Sequence, residues 1–412
     1  MRDEMKRRDE GRGTRDEKDS ASFVLASGAS GRPSESRQLR DERSSIVHLL
    51  VAKDLSVERA GATLLDVPEL TISEGEVLSL IGPNGAGKTT LLQVLCYLLK
   101  PFCGEIFFKG KRVNSEYPLY EYRRKLAMVF QEPLLFDTTV FENVASGLRF
   151  RRMKWPEIKT AVMESMEMFG IVHLNSRSAR TLSGGEAQRT SLARAFALKP
   201  EILLLDEPFA SLDPPTRESL IGDLEWILQH FKTTVVFTTH DRMEALHLSD
   251  RIAVMNEGKM LQLGSPEEVM NHPADGFVAS FVGVETILDG RVVKEGEGII
   301  TVSVSGYEIE AVGEIPFGEK VILCIRPENV TISKNSRGMV TSARNVFTGK
   351  VEKITPLGLF QKVHIDCGFP IVAYVTNDSL KSLSLEEGKV VDTSFKATAI
   401  HVVRKSSREK QY

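Results

Sequence analysis

The chain changes texture near residue 45, where apolar and polar positions begin to follow regular periods. The stretches "IVHLLVAKDLSV" and "LLDVPELTI" read as strands, and "GEVLSLIG" is a short apolar run that ends in glycine. Such a run is a buried strand, and here it feeds a loop and then the helical segment "KTTLLQVLCYLL". "GEIFFKGKRV" adds a strand and a turn. Over about residues 136–180 the period becomes helical, with Pro156 suited to a first turn and Gly170 to a stop. Met163, Met166 and Met168 on that segment read as core filler. "EILLLDEP" and "TTVVFTTH" are two more buried strands, separated by the helix "TRESLIGDLEWILQHF". Strand alternating with helix predicts a parallel sheet covered by helices.

After about Val284 the helical periods fade and short strands with glycine turns take over, which predicts an all-β domain. This part repeats. One arm runs "GRVV", "VSVSGYEIEAV", "GEKVILCIRPENVTI"; the other runs "GKVEKI", "VHIDCGFPIVAYV", "EGKVVDTSFKATAIHVV". Each arm holds a strand, a strand-turn-strand, a glycine-lysine-valine turn and a closing strand. Two related small barrels, or one double barrel, are expected.

Composition narrows the class. The 412 residues suffice for two or three domains, and 42% hydrophobic content suffices for sizeable cores of a soluble globular protein. A formal net charge of −3 carries no basic stripe, so nucleic acid is not an expected partner. The four cysteines, Cys96, Cys103, Cys324 and Cys367, form no C-x-x-C pair and read as reduced packed thiols. No apolar run has the length needed to cross a bilayer. Residues 1–44 open with "MRDEMKRRDEGRGTRDEKDS", a mixed-charge tract that buries too little surface to fold and is expected to be a disordered tail.

The chemistry begins at "GPNGAGKTT", which fits the phosphate-loop pattern G-x-x-x-x-G-K-[ST] between a buried strand and a helix. Gly82, Asn84, Gly85, Ala86, Gly87, Lys88, Thr89 and Thr90 are the candidate nucleotide-binding residues. Glycines there let backbone N–H groups approach phosphates, and the helix N-terminus favours negative charge. Lys88 is expected on the β- and γ-phosphates and Thr89 on Mg²⁺. "ILLLDEP" ends an apolar strand in two carboxylates, with Asp206 expected near the metal and Glu207 beside the γ-phosphate. Glu207 is the candidate general base, or orients the attacking water. Gln131 in "VFQEP" and His240 in "TTHD" each follow a strand and complete the candidate catalytic set. Thr89, Gln131 and Asp206 form the candidate Mg²⁺ set.

A second glycine-rich, helix-opening segment stands at "LSGGEAQR", and "SLD" follows at 211–213. With the phosphate loop, Gln131, "LLLDEP" and His240, in that order, these residues resemble the nucleotide-binding subunits of ABC transporters over residues 45–281. The resemblance implies a head-to-tail homodimer, with ATP held between one phosphate loop and the partner's signature residues Ser183, Gly184, Gly185 and Glu186, and with Asp213 in the adjoining loop. It also implies ATP and Mg²⁺ as cofactors, membrane-spanning permease partners, an extracytoplasmic substrate-binding protein acting indirectly, and a peripheral place on the cytoplasmic face of the membrane. Leu134, Leu135 and Phe136 are candidates for permease contact or for core. One departure stands out: where the family places an adenine-stacking aromatic, this chain has "SVERAGATLL". Arg59, by its guanidinium plane, or Val57 is left for that role.

The C-terminal part resembles the OB-like barrels of substrate-binding-protein-dependent importers, and from 342 to 403 the molybdate-binding Mop domains. "SARNVFTGKV", "AYVTNDSLKSLSLEEG" and "FKATAIHVV" carry that likeness. By position it puts Ser342, Arg344, Thr376, Ser379 and Lys396 in oxyanion-binding segments. Hydroxyls, N–H groups and one or two cations suit a doubly charged oxyanion. The expected fold class is thus α/β: a P-loop NTPase parallel sheet with a helical subdomain, then an all-β OB-like (Mop/TOBE) C-terminal domain. The expected boundaries are 1–44 for the tail, 45–283 for the nucleotide-binding domain and 284–412 for the β domain, Mop-like over 340–404. The expected function is ATP hydrolysis driving import of tungstate or molybdate, with feedback by anion bound to the β domain. Sulfate, ferric ion, polyamine or sugar as cargo, or an oxyanion sensor regulated by nucleotide, remain alternatives.

Overall fold

The computed structural model describes residues 48–334 and 341–405; the expected tail at 1–44 lies outside them. The first two strands, His48–Arg59 and Ala62–Ser73, fold back on one another through Ala60 and Gly61, whose φ angles are 50° and 80°. Two successive positive-φ residues match the right-handed twist of paired strands, and glycine takes the second position without steric cost. The same device returns at Glu257 and Gly258, with φ of 46° and 78°.

These hairpins change the expected sheet. Ten strands form it, in the order Lys111–Arg112, Cys103–Phe108, His48–Arg59, Ala62–Ser73, Lys259–Gly264, Arg251–Asn256, Val77–Ile81, Thr234–Thr239, Ile202–Asp206, Leu126–Val129. The last five run parallel, as the strand-helix alternation predicts. The other arm is largely antiparallel, because a two-residue turn joins only antiparallel neighbours. The three strands Val77–Ile81, Ile202–Asp206 and Thr234–Thr239 are buried at every position. Their side chains alternate between two cores: Leu203, Leu205, Val235 and Phe237 enter one, while Ile202, Leu204 and Val236 enter the other. The first core also packs the helices Val140–Phe150, Trp155–Met168 and Gly184–Phe196. Met166 is fully buried in it and Met168 packs at its margin.

The β region forms two five-stranded sheets. The first arm supplies Thr286–Glu295, Ile299–Val304, Tyr307–Val312, Lys320–Ile325 and a closing strand, Thr331–Ser333. The second supplies Asn345–Leu357, Phe360–Asp366, Pro370–Thr376, Val390–Phe395 and a closing strand, Ile400–Arg404. The closing strands are exchanged. Thr331–Ser333 pairs with Val390–Phe395, and Ile400–Arg404 pairs with Lys320–Ile325. A single hydrophobic core takes residues from both arms, among them Val292, Val302, Val351 and Ile365. Gly290 and Gly349 occupy matching positions in the two leading strands. A Cβ on Gly290 lies 2.4 Å from Val302 Cγ1, and one on Gly349 lies 2.4 Å from Cys367 Sγ, so both sites need glycine for close strand contact.

The first sheet is joined to the sheet-and-helix part by a fourth core, where Ile322, Cys324 and Val403 meet Ile81, Val254 and Val278. Arg326 Nη2 donates to the Met270 carbonyl, and His401 Nε2 donates to the Pro273 carbonyl at 3.0 Å.

Candidate active site

The buried strand Val77–Ile81 delivers the chain to the phosphate loop. Gly82 follows with its backbone against the Met255 carbonyl, where a Cβ would fall 2.2 Å away. Gly87, at φ 97°, caps the helix Lys88–Leu95. Lys88 is 5% exposed, and its Nζ donates to the carbonyls of Gly82 (2.8 Å) and Pro83 (3.1 Å). The same ammonium lies 3.6 Å from Glu207 Oε1. A buried ammonium held by carbonyls at the mouth of a glycine loop is a point charge aimed where a phosphate chain would lie.

The neighbouring strand Ile202–Asp206 ends at the second half of the cluster. Asp206 is buried, and its Oδ1 accepts from both Thr89 Oγ1 and Thr238 Oγ1 at 2.8 Å. The next residue, Glu207, turns sharply at φ 42°, a region costly for a side chain other than glycine. Its N–H donates to Thr238 Oγ1 at 2.8 Å, which fixes the turn. Glu207 Oε2 meets His240 Nδ1 at 3.3 Å. Lys88, Thr89, Asp206, Glu207 and His240 therefore converge from three adjacent parallel strands. Gln131 does not join them by a hydrogen bond: it sits exposed just past the edge strand Leu126–Val129.

The residues fit Mg²⁺. Thr89 and Asp206 present hard oxygens 2.8 Å apart, and no group of three or more His, Cys, Asp or Glu side chains is arranged for a metal among the described residues. Mg²⁺ commonly takes one or two protein oxygens and completes its shell with phosphates and water.

The signature segment is built as a helix start. Ser183 Oγ accepts from the Glu186 N–H (3.3 Å), and Glu186 Oε2 accepts from the Ser183 N–H (2.7 Å). This reciprocal capping lowers the Glu186 pKa, chiefly through the hydrogen bond from the Ser183 backbone. The two glycines differ in role. A Cβ on Gly185 would fall 2.5 Å from the Thr216 methyl, so its smallness serves helix packing. Gly184 has nothing nearer than the Ser211 carbonyl at 4.0 Å and stays open to a ligand. Asp213 is exposed and caps the helix Pro214–Phe231, accepting from the Thr216 N–H at 3.3 Å. No hydrogen bond joins this signature segment to the phosphate loop of the same chain among the described residues.

Arg59 is exposed at the tip of the first hairpin, whereas Val57 is 4% exposed within the core and unable to meet a base. Leu64, 38% exposed, lies on the following strand, and its carbonyl is 3.3 Å from the position a Cβ would take on Gly87. The sequence reading passed over Leu64, Thr238 and the Arg217–Glu244 pair. Of these only Thr238 left a signal, as a hydroxyl next to the end of a strand with an apolar centre.

The five oxyanion candidates fall into two groups. Ser342, Arg344 and Lys396 lie near the start of Asn345–Leu357, where Asn345 pairs with Phe395. Arg344 Nη1 is bonded to Glu310 Oε2 at 2.8 Å, and Lys396 is exposed. Thr376 and Ser379 lie at the other end of that strand, where Leu357 pairs with Phe360 and Phe360 with Thr376. Their hydroxyls are 3.0 Å apart.

Residues 65–210 match the ABC transporter family and residues 341–402 match the TOBE domain. Over 337 residues the chain is 40% identical to the molybdate/tungstate import ATP-binding protein WtpC of Pyrococcus horikoshii, covering 80% of this chain and 93% of that protein. The chain belongs to the ATP-binding subunits of ABC transporters. Members of this family bind and hydrolyse ATP. The spermidine/putrescine import ATP-binding protein PotA of Borrelia garinii subsp. bavariensis is 36% identical over 348 residues, 84% of this chain and 94% of that protein. The solved structure of cbiO1 from Clostridium perfringens, part of the ABC transporter complex cbiONQ, superposes with a TM-score of 0.51 at 30% identity. It covers 58% of this chain and 95% of its own. The α/β ATPase fold and the C-terminal all-β part of this ABC subunit both have relatives. No helix among its described residues is long and apolar enough to cross a membrane.

Proposed function

We propose that this chain is the ATPase subunit of an importer for molybdate or tungstate, working as a homodimer under membrane-spanning permease subunits at the cytoplasmic face. An extracytoplasmic binding protein delivers the anion to the permease. The observation that carries the cargo is the 40% identity to the molybdate/tungstate import protein across 93% of its length. The polyamine reading has support of its own, from the 36% identity to the spermidine/putrescine import protein. Deleting the gene from its host separates the two. Cellular tungsten and molybdenum, measured by mass spectrometry, fall while spermidine uptake persists; the reverse result makes polyamine the cargo.

In this reading Lys88 and the phosphate-loop N–H groups hold the β- and γ-phosphates, and Glu207 takes a proton from, or orients, the attacking water. His240, on Glu207, contacts the γ-phosphate. Thr89 and Asp206, with Gln131, would hold Mg²⁺, which would neutralise charge at the phosphates. Ser183 and the open Gly184 of one subunit face the γ-phosphate of the other, and Asp213 lies beside that junction. Arg59 and Leu64 flank the base. Leu134 and Phe136, 60% and 53% exposed, form the permease contact. Buried Asn143 pins their loop, accepting from the Phe136 N–H at 2.7 Å and donating to its carbonyl at 3.0 Å.

Feedback by anion at the β domain is part of this proposal. The two groups of oxyanion candidates are far apart in one chain, so one site using all five needs a second copy. Calorimetric titration with tungstate, molybdate and sulfate tests it. Sulfate-excluding binding that weakens in Lys396→Ala supports the site, and absence of binding removes it.

A further inference from the structure

His240 is 55% exposed at its side chain, and among the described residues its hydrogen-bond partner is Glu207 Oε2, 3.3 Å away. Packing around the imidazole therefore does not fix it. What is fixed is the backbone on either side. Before it, buried Thr239 ends the strand Thr234–Thr239, its Oγ1 donating to Glu244 Oε2 and accepting from the Asp241 N–H at 2.9 Å. After it, Asp241 caps the helix Arg242–Leu248, its Oδ1 accepting from the Met243 N–H at 2.7 Å. Both flanks end on one side chain from another element. Arg217 Nε donates to Glu244 Oε1 at 2.7 Å, and its Nη2 reaches the same oxygen at 2.6 Å and also Asp241 Oδ2. Glu244 is 4% exposed, so its carboxylate depends on that guanidinium and the Thr239 hydroxyl for compensation.

Arg217 lies in the first turn of the helix Pro214–Phe231. Its N–H donates to the Asp213 carbonyl at 2.9 Å. The preceding residue, Thr216, presents the methyl that packs on Gly185 of the signature helix. One helical turn thus touches the "SLD" segment, the signature helix and both flanks of His240.

We propose that Arg217 is a positioning residue for ATP hydrolysis: its planar fork holds Glu244 and Asp241 together, sets His240 on Glu207, and ties that placement to the signature and "SLD" segments. This rests on the role given above to His240. A lysine keeps the charge but not the fork, so it holds one acid at a time.

The test is a double-variant cycle on the full-length protein, read as steady phosphate release with ATP and Mg²⁺. Arg217→Ala is expected to lower kcat about 100-fold, the loss typical of a misplaced catalytic group, with KM for ATP within about twofold. Arg217→Lys is expected to fall between. Adding Arg217→Ala to His240→Ala is expected to cause no further loss, since both act through one imidazole. A merely structural arginine predicts losses that multiply, and that result overturns the proposal. So does wild-type kcat in Arg217→Ala beside an impaired His240→Ala, which leaves the His240 assignment standing. Wild-type kcat in His240→Ala overturns both. Where Arg217→Ala does not fold, as judged by circular dichroism, the same cycle run with Arg217→Lys decides.

Discussion

At the residue scale the proposed hydrolysis turns on Glu207. A glutamate at φ 42° gives up backbone comfort to stand beside Lys88 and His240, and the Thr238 hydroxyl holds it there. Glu207→Gln keeps the shape and removes the base. Hydrolysis is expected to fall by about 10²–10⁴, while binding of a fluorescent ATP analogue stays within about twofold. Thiol chemistry offers an independent check on burial. Cys103 is exposed, whereas Cys96, Cys324 and Cys367 are buried, and burial pushes the Cys324 thiol up to about 12. A thiol reagent is therefore expected to titrate one cysteine per native chain and four after denaturation. The placement of Lys88 and Asp206 at neighbouring strand ends, and of Ser183 at a helix start, was legible because each lies in a short contiguous motif. Arg217 and Glu244 were not, because 27 residues separate them and each looks like an ordinary helix-surface charge until the fold brings them together.

At the element scale, glycine has opposite consequences at different sites. Gly222 lies inside the helix Pro214–Phe231 with open space around its Cβ position. Gly222→Ala should stabilise the protein by about 0.5–1 kcal/mol, seen as a rise of about 2 °C in Tm by scanning calorimetry. Gly349→Ala should do the reverse, lowering Tm through clashes with Cys367, Ile365 and the Asp366 carbonyl. The helix Trp155–Met168, with proline near its start and Gly170 at φ 67° beyond its end, was plain from those two punctuating residues. The antiparallel arm of the sheet was less so. Ala-Gly and Glu-Gly turns are weaker hairpin signals than the Asn-Gly and Asp-Gly pairs that favour positive φ most strongly.

At the scale of the whole molecule, the internal repeat was visible in the sequence but the exchange of its closing strands was not. Two similar arms leave similar partners, and the period alone does not say whether a closing strand pairs within its own arm or across. The exchange has a mechanical consequence. A chain ending at residue 334 lacks the strand Ile400–Arg404 that pairs with Lys320–Ile325, and loses half of a shared core. Its remaining β segment is expected to be cleaved rapidly by protease, while the full-length β domain resists. Among the described residues signature and phosphate loop are not hydrogen-bonded within one chain, so the proposed shared site calls for a second copy.

Light scattering on Glu207→Gln, with and without saturating ATP and Mg²⁺, addresses that directly. Without nucleotide a monomer of 45.8 kDa, or a weakly associating species, is expected, and with ATP a stable particle of about twice that mass. Introducing Lys88→Ala should abolish the shift. An ATP-saturated Glu207→Gln protein that remains at 45.8 kDa contradicts the shared-site dimer.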